Sequence, residues 1–289
     1  MDYKDSKWAD KIIKLQQKDG SWGYFHSLSN PTKEQPITTE QALRRLKILG
    51  FTINDKPIQK AINYLSNCLI EKIKIPDRQE KLHNWKIFTE LMFSTWIKIF
   101  TIENKKANEI TQNWTTIVNY SFENGIYDNE KYIKLYEKIL GLKPKGGVLI
   151  NFINFYPISL LTNNLDKKIE PIFFNYVLNH ECGIYYIWDK KIINTPELFK
   201  SKNANRYVSA IELLAEYNNK ECKKQLEFIN KWLSKNMIEK NKWDMGKEAK
   251  DGINFPLSDS WRKEEDRIND CTYRINRLLE KIGTNCNFA

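Results

Sequence analysis

The chain has 289 residues, enough to bury one large core or two modest ones. With 41% hydrophobic and 13% aromatic residues it is globular in composition, which excludes a disordered or fibrous chain. A formal net charge of +10 attracts polyanions, but Lys, Asn and Ile are abundant everywhere and Arg is sparse, so a dedicated nucleic-acid reader is disfavoured.

Apolar residues recur at helical spacing almost without pause. Trp8, Ile12 and Leu15 lie on one face of a first helix. Thr38 or Thr39 caps a second, striped by Leu43, Leu46 and Leu49 and stopped by Gly50. A third starts near Pro57 and turns Ile58, Ile62, Leu65 and Leu69 inward. The long fourth carries Trp85, Phe88, Met92, Trp96 and Ile99, and the fifth Ile110, Trp114 and Ile117. Further patterns cover residues 132–139, 148–161, 171–178, 206–217, 222–233 and 261–282, with at most a short hairpin at 184–188. The expectation is an all-α protein of about eleven to twelve helices, residues 1–289 forming one domain.

Between these helices a turn of one shape recurs. Gly20-Ser21-Trp22, Gly125-Ile126-Tyr127, Gly183-Ile184-Tyr185 and Asn241-Lys242-Trp243 each place an aromatic ring two residues after a Gly or Asn. The first interval is about twice a period of some 50 residues, so one copy has lost its mark, and 75–78 (Ile-Pro-Asp-Arg) is where it is expected. A fixed period of this length signals stacked supersecondary units. Gly20 suits a left-handed helix exit, and Gln16 or Gln17 is placed to bond the freed backbone groups.

The segment Leu15-Gln16-Gln17-Lys18-Asp19-Gly20-Ser21-Trp22-Gly23 resembles the Gln- and Trp-bearing turn of the squalene cyclase and prenyltransferase repeat proteins, and residues 235–246 look like a degenerate second copy. The resemblance implies an α/α toroid of helical-hairpin repeats, in which inner helices ring a central aromatic cavity. It implies an apolar small-molecule ligand with an anionic, diphosphate-like head, such as a prenyl diphosphate. No resident cofactor is implied; magnesium enters only with a diphosphate. The chain has neither the Asp-x-Asp-Asp of the proton-initiated cyclases nor an Asp-Asp-x-x-Asp, and Asp270 and Cys271 are adjacent.

Three basic segments lead into helices and are candidates for an anion-binding rim. They contribute Lys145 (before Gly146-Gly147), then Lys202, Arg206 and Tyr207, then Trp261 and Arg262. On the last helix Arg267, Asp270, Cys271 and Arg274 fall three, four or seven apart and share a face, read as a salt-bridge row or a cavity edge. Asp270, Asp259 and Asp251 are the candidate catalytic carboxylates, Asp270 as a general acid if desolvated. Asp77 and Arg78 occupy the expected unmarked turn, and His83 precedes Trp85 on the most aromatic helix. Trp85, Trp96, Tyr136, Phe152, Phe155, Tyr156 and Tyr207 line a cavity or fill a core.

No signal-like apolar segment or membrane span is expected: the first five residues are polar, Lys98 interrupts residues 91–102, and Asn151, Asn154 and Pro157 interrupt 148–161. Five scattered cysteines without a Cys-x-x-Cys pair fit reduced thiols in a cytoplasmic protein, and three distant histidines give no metal module. Two other readings stay open: a carbohydrate-active α/α barrel using a carboxylate pair, and a non-catalytic helical-repeat module for protein or nucleic acid.

Overall fold

The computed structural model describes residues 3–26, 29, 32–81, 84–145 and 152–283. Twelve α-helices run through them: α1 Lys7–Lys14, α2 Thr39–Ile48, α3 Lys56–Leu69, α4 Trp85–Phe100, α5 Lys105–Ser121, α6 Asn129–Leu140, α7 Phe155–Leu161, α8 Glu170–Asn179, α9 Lys202–Leu214, α10 Lys220–Gln225, α11 Phe228–Lys235 and α12 Glu264–Ile282. The all-α expectation holds. Strand content among the described residues is a two-stranded ribbon, β1 Met237–Glu239 with β2 Lys242–Trp243, plus single bridges at Asn154–Tyr185 and Ile184–Trp188.

Local chemistry explains the boundaries. Thr38 caps α2 in a reciprocal box with Gln41, each side chain bonding the other's backbone N–H. Ser6, Asp128, Asn154 and Ser201 cap α1, α6, α7 and α9. Left-handed glycines end α6 and α12 at Gly141 and Gly283. The expected single helix over 222–233 is two, α10 and α11, broken at Leu226 and Glu227.

The chain divides into two compact units, Met1–Ile110 with Gly252–Ser260, and Thr111–Asp251 with Trp261–Ala289. In the first unit α3 packs on α2 and α4. Its core includes Trp22, Phe25, Leu43, Leu46, Leu65, Met92 and Trp96. The 252–260 segment is fastened to it by backbone groups: Trp8 Nε1 donates to Ser258 O at 2.9 Å, and Arg45 donates to the carbonyls of Ile253 and Pro256. In the second unit α7 packs on α9 and α8 on α10. Rings of Phe122, Tyr127, Tyr132, Phe152, Phe173 and Tyr176 fill one end in edge and tilted contacts.

The four marked turns share one backbone device. Gly20, Gly125, Gly183 and Asn241, each two residues before the aromatic position, all have left-handed φ, between 57° and 97°. A fifth left-handed residue, Glu71 at φ 59°, closes α3 and places Ile73 where the others carry a ring. The five sit at 20, 71, 125, 183 and 241 among other left-handed residues, and Glu71 lies a few residues before the expected 75–78.

The two tryptophan turns match in their bonds. Trp22 Nε1 donates to Ile12 O at 2.7 Å and Trp243 Nε1 to Leu233 O at 2.8 Å, each reaching ten residues back. The backbone N–H of Trp22 donates to Thr39 Oγ1 at 2.9 Å, and that of Trp243 to Thr272 Oγ1 at 3.1 Å. Both indoles are fully buried. Gln16 bonds freed backbone as expected, donating to Gly20 O at 2.9 Å and Pro57 O at 2.8 Å.

Gly20 has two reasons to be glycine. Its φ is left-handed, and a Cβ there would lie 2.4 Å from the backbone oxygen of Lys60. At Gly125 the φ is also left-handed but nothing lies within 4 Å of such a Cβ. Gly125→Ala is therefore expected to cost about 1 kcal/mol of stability, the strain alone, and Gly20→Ala about 3 kcal/mol. Urea unfolding of the two variants checks the ordering; equal costs would refute the close approach at Gly20.

Candidate functional site

Helices α9 and α12 are joined through polar groups. Asn205, Ser209 and Glu212 stand at i, i+4 and i+7 on α9; Arg267, Asp270 and Arg274 share a face of α12 and are buried. The Arg274 guanidinium donates from Nε and Nη2 to the two Glu212 oxygens, both at 2.7 Å. It also donates from Nη2 to Ser209 Oγ at 2.8 Å and from Nη1 to Asn205 Oδ1. The Asn205 amide donates in turn to Ala249 O at 2.7 Å and Asp251 Oδ2 at 2.9 Å. Bidentate pairing of this kind fixes both partners' planes.

A second ionic knot joins α12 to the tryptophan turn. Arg267 donates from Nε to Asp244 Oδ1 at 2.6 Å and from Nη2 to Asp244 Oδ2 at 2.9 Å, and also to Glu264 at 2.8 Å. Asp244 further accepts the Gly246 N–H at 2.8 Å and pairs with Lys200 Nζ at 3.1 Å. Burial pushes the Asp244 carboxyl up, but the Arg267 guanidinium, the Gly246 amide and Lys200 outweigh it and hold the pKa at about 2. Asp244 directly follows the marked Trp243, and Asn205, Ser209 and Glu212 have helical spacing; those are the sequence signals of this network, which the candidate residues named above include only in part.

Of the candidate carboxylates, Asp270 is fully buried and accepts the indole N–H of Trp261 at 2.7 Å. Asp251 accepts from Asn205. Asp259 belongs to the other unit, where it accepts the Lys7 N–H at 2.8 Å. Tyr207 is buried between Trp188 and Trp232, ring centroids 5.3 Å away on each side, and donates to Ile192 O at 2.8 Å. Burial raises its hydroxyl pKa well beyond the usual range.

The candidate cations differ in burial. Arg267 and Arg274 are held as above, whereas Lys145, Lys202 and Arg262 are exposed. Arg206 is half-buried on α9, four residues after Lys202, and no carboxylate pairs with it among the described residues.

In the first unit, Asp77 fastens a loop: its oxygens accept the N–H groups of Phe25 at 2.6 Å and His26 at 2.8 Å, and the Ser29 hydroxyl at 2.7 Å. Arg78 is exposed, and half-buried Trp85 lies against Phe88, 6.2 Å between rings. Helices α2 and α4, each following a left-handed turn, share a buried polar contact as α9 and α12 do. Glu40 accepts Trp96 Nε1 at 3.2 Å and lies 3.6 Å from Arg44. Tyr136, Phe152, Phe155 and Tyr156 are buried against other rings, so packing occupies those faces. His83, Gly146, Gly147 and residues 148–151 lie outside the described residues.

No cluster of three or more His, Cys, Asp or Glu in metal-binding arrangement occurs among the described residues, and no described helix is long and apolar enough to cross a membrane. Comparison with protein-family models, curated proteins and solved structures gives no match.

Removing Asp244's charge strands Arg267 in a buried site, so Asp244→Asn is expected to cost about 3–5 kcal/mol at neutral pH. Because its folded pKa is depressed, the stabilisation is complete above about pH 4 and is lost as pH falls toward about 2. A shift of this size corresponds to roughly 2 kcal/mol. Urea unfolding across pH 7 to 2.5 should show the wild type losing this increment and the Asn variant lacking it; parallel curves would remove Asp244 from the role.

Proposed function

We propose that this chain is a terpenoid cyclase- or prenyltransferase-like protein, an α/α toroid that takes an apolar ligand with an anionic, diphosphate-like head. Two features support the architecture: the matched tryptophan turns, and the way helices following the turns join one another through buried polar groups. An inner ring facing a ligand cavity needs such groups, while outer helices pack mainly through apolar faces. In the second unit α8, an outer helix on this reading, packs on α10, while α7 and α12 both adjoin α9.

The observation that carries the anionic head is Arg206. It is half-buried with no carboxylate partner among the described residues, unlike Arg267 and Arg274. A guanidinium so placed, one turn beyond Lys202 at the N-terminus of α9, is suited to a phosphate. Lys145 is the second cation assigned to the head, and a diphosphate would bring its own magnesium. The carboxylates Asp244, Asp251 and Asp270 serve structural bonds, so recognition rests on the cations.

The test is thermal unfolding with geranylgeranyl diphosphate and magnesium, alongside inorganic diphosphate and geranylgeraniol. Near 100 times Kd the prenyl diphosphate is expected to raise Tm by about 4 °C. The combined Lys145→Ala and Arg206→Ala variant is expected to lose the shift without losing its own Tm. Absence of a shift with the wild type, or an undiminished shift in the variant, would sink this reading.

A further inference from the structure

Helix α8 opens on a carboxylic acid with almost no water around it. Glu170 is 4% exposed, and its Oε1 is buried without a hydrogen-bond partner. The groups at the carboxyl are neutral: the side-chain amide of Asn219 and the backbone N–H of Asn163 donate to it and favour its ionised form, which burial outweighs, and the Tyr217 hydroxyl and the Cys222 thiol lie nearby. Tyr217 commits its proton to Ile158 O at 2.7 Å. Burial keeps the Cys222 thiol protonated, its pKa pushed up to about 12.

Charged groups on the packed elements are engaged elsewhere or lie at the surface. Lys223 on α10 donates to the carbonyls of Ala215 and Lys281. Glu216 pairs with Lys281 at 2.6 Å. Asp166, Lys167 and Lys168, in the turn before α8, and Glu221 on α10 are exposed. An ionised Glu170 would therefore be a desolvated charge held by two neutral donors and no countercharge, which is unfavourable.

We propose that Glu170 is a proton-operated latch between the start of α8 and the segment 215–222. Protonated, the carboxyl closes the joint that Gln225 also spans through its bond to Pro171 O at 3.1 Å; ionised, it draws in water and loosens it. Burial shifts the Glu170 carboxyl above the usual glutamate range, in agreement. A raised folded pKa means that the stabilisation is complete below the unfolded value of about 4.3 and is lost as pH rises through the folded value. The joint is accordingly tight in acid and looser toward alkaline pH.

Amide hydrogen exchange, corrected for intrinsic rates, reads the latch in residues 169–178 and 217–225. The opening equilibrium of the wild type is expected to rise by up to about tenfold per pH unit between the unfolded and folded values. Glu170→Gln, which mimics the protonated acid, is expected to abolish that rise and to exceed the wild type in Tm above the window. Parallel pH profiles for wild type and variant would overturn the latch. Carboxyl 13C titration of the wild type gives a reading independent of the variant's folding. A Glu170 midpoint above those of exposed glutamates supports the proposal, and one at or below them overturns it.

Discussion

The structure depends on a hydrogen bond from a buried indole to a carbonyl ten residues upstream. In each tryptophan turn that bond ties the ring to the helix just completed, while the same residue's backbone N–H is taken by a threonine of the helix to come. A single residue thus holds two successive helices at a fixed approach, and a left-handed residue two places earlier makes the reversal possible. The copies differ in register. Thr39 opens α2, whereas Thr272 stands in the third turn of α12, so the second copy grips its helix well inside its end.

From these turns follows the division of labour among the helices. Each helix entering a turn has to meet its neighbours through apolar side chains, as Ile58, Leu65 and Leu69 do on α3. Helices α2, α4, α9 and α12, which leave the turns, carry buried ionic and amide groups, and Glu170 on α8 is an exception among the helices entering them. Such knots add little net stability over an apolar replacement, but they penalise any pairing that leaves one charge uncompensated. Arg274 satisfied by Glu212, Ser209 and Asn205 together is accordingly a device for setting the register of α12 on α9.

Helices were legible in the sequence because their apolar period is long and their caps are explicit: Thr38, Gly50, Gly141 and Gly283 mark ends that the structure keeps. The break between α10 and α11 was not, since Cys222, Leu226, Ile229 and Leu233 continue one stripe across it. Helix α12 begins at Glu264 and not at Trp261, whose indole turns back to Asp270, a tertiary demand that no local pattern announces. The shared face of α12 was readable; Asp244 beside Trp243 and the polar row Asn205, Ser209 and Glu212 also left signals, but which of them pairs with which arginine is a tertiary matter. The unmarked turn was expected a few residues late, at 75–78, because Glu71 is an uncommon left-handed residue and Ile73 leaves no aromatic signature.

The return of residues 252–260 to the first unit has a bearing on synthesis. That unit is interrupted in sequence by some 140 residues, and its fastening bonds to Arg45 and Trp8 come from a strip translated that much later. A ribosome-bound fragment stopping before residue 252 would hold α1 to α4 with Arg45 deprived of its carbonyl acceptors. The bonds that complete residues 1–110 therefore form only after the late strip has emerged, which couples the early and late segments of that unit in folding.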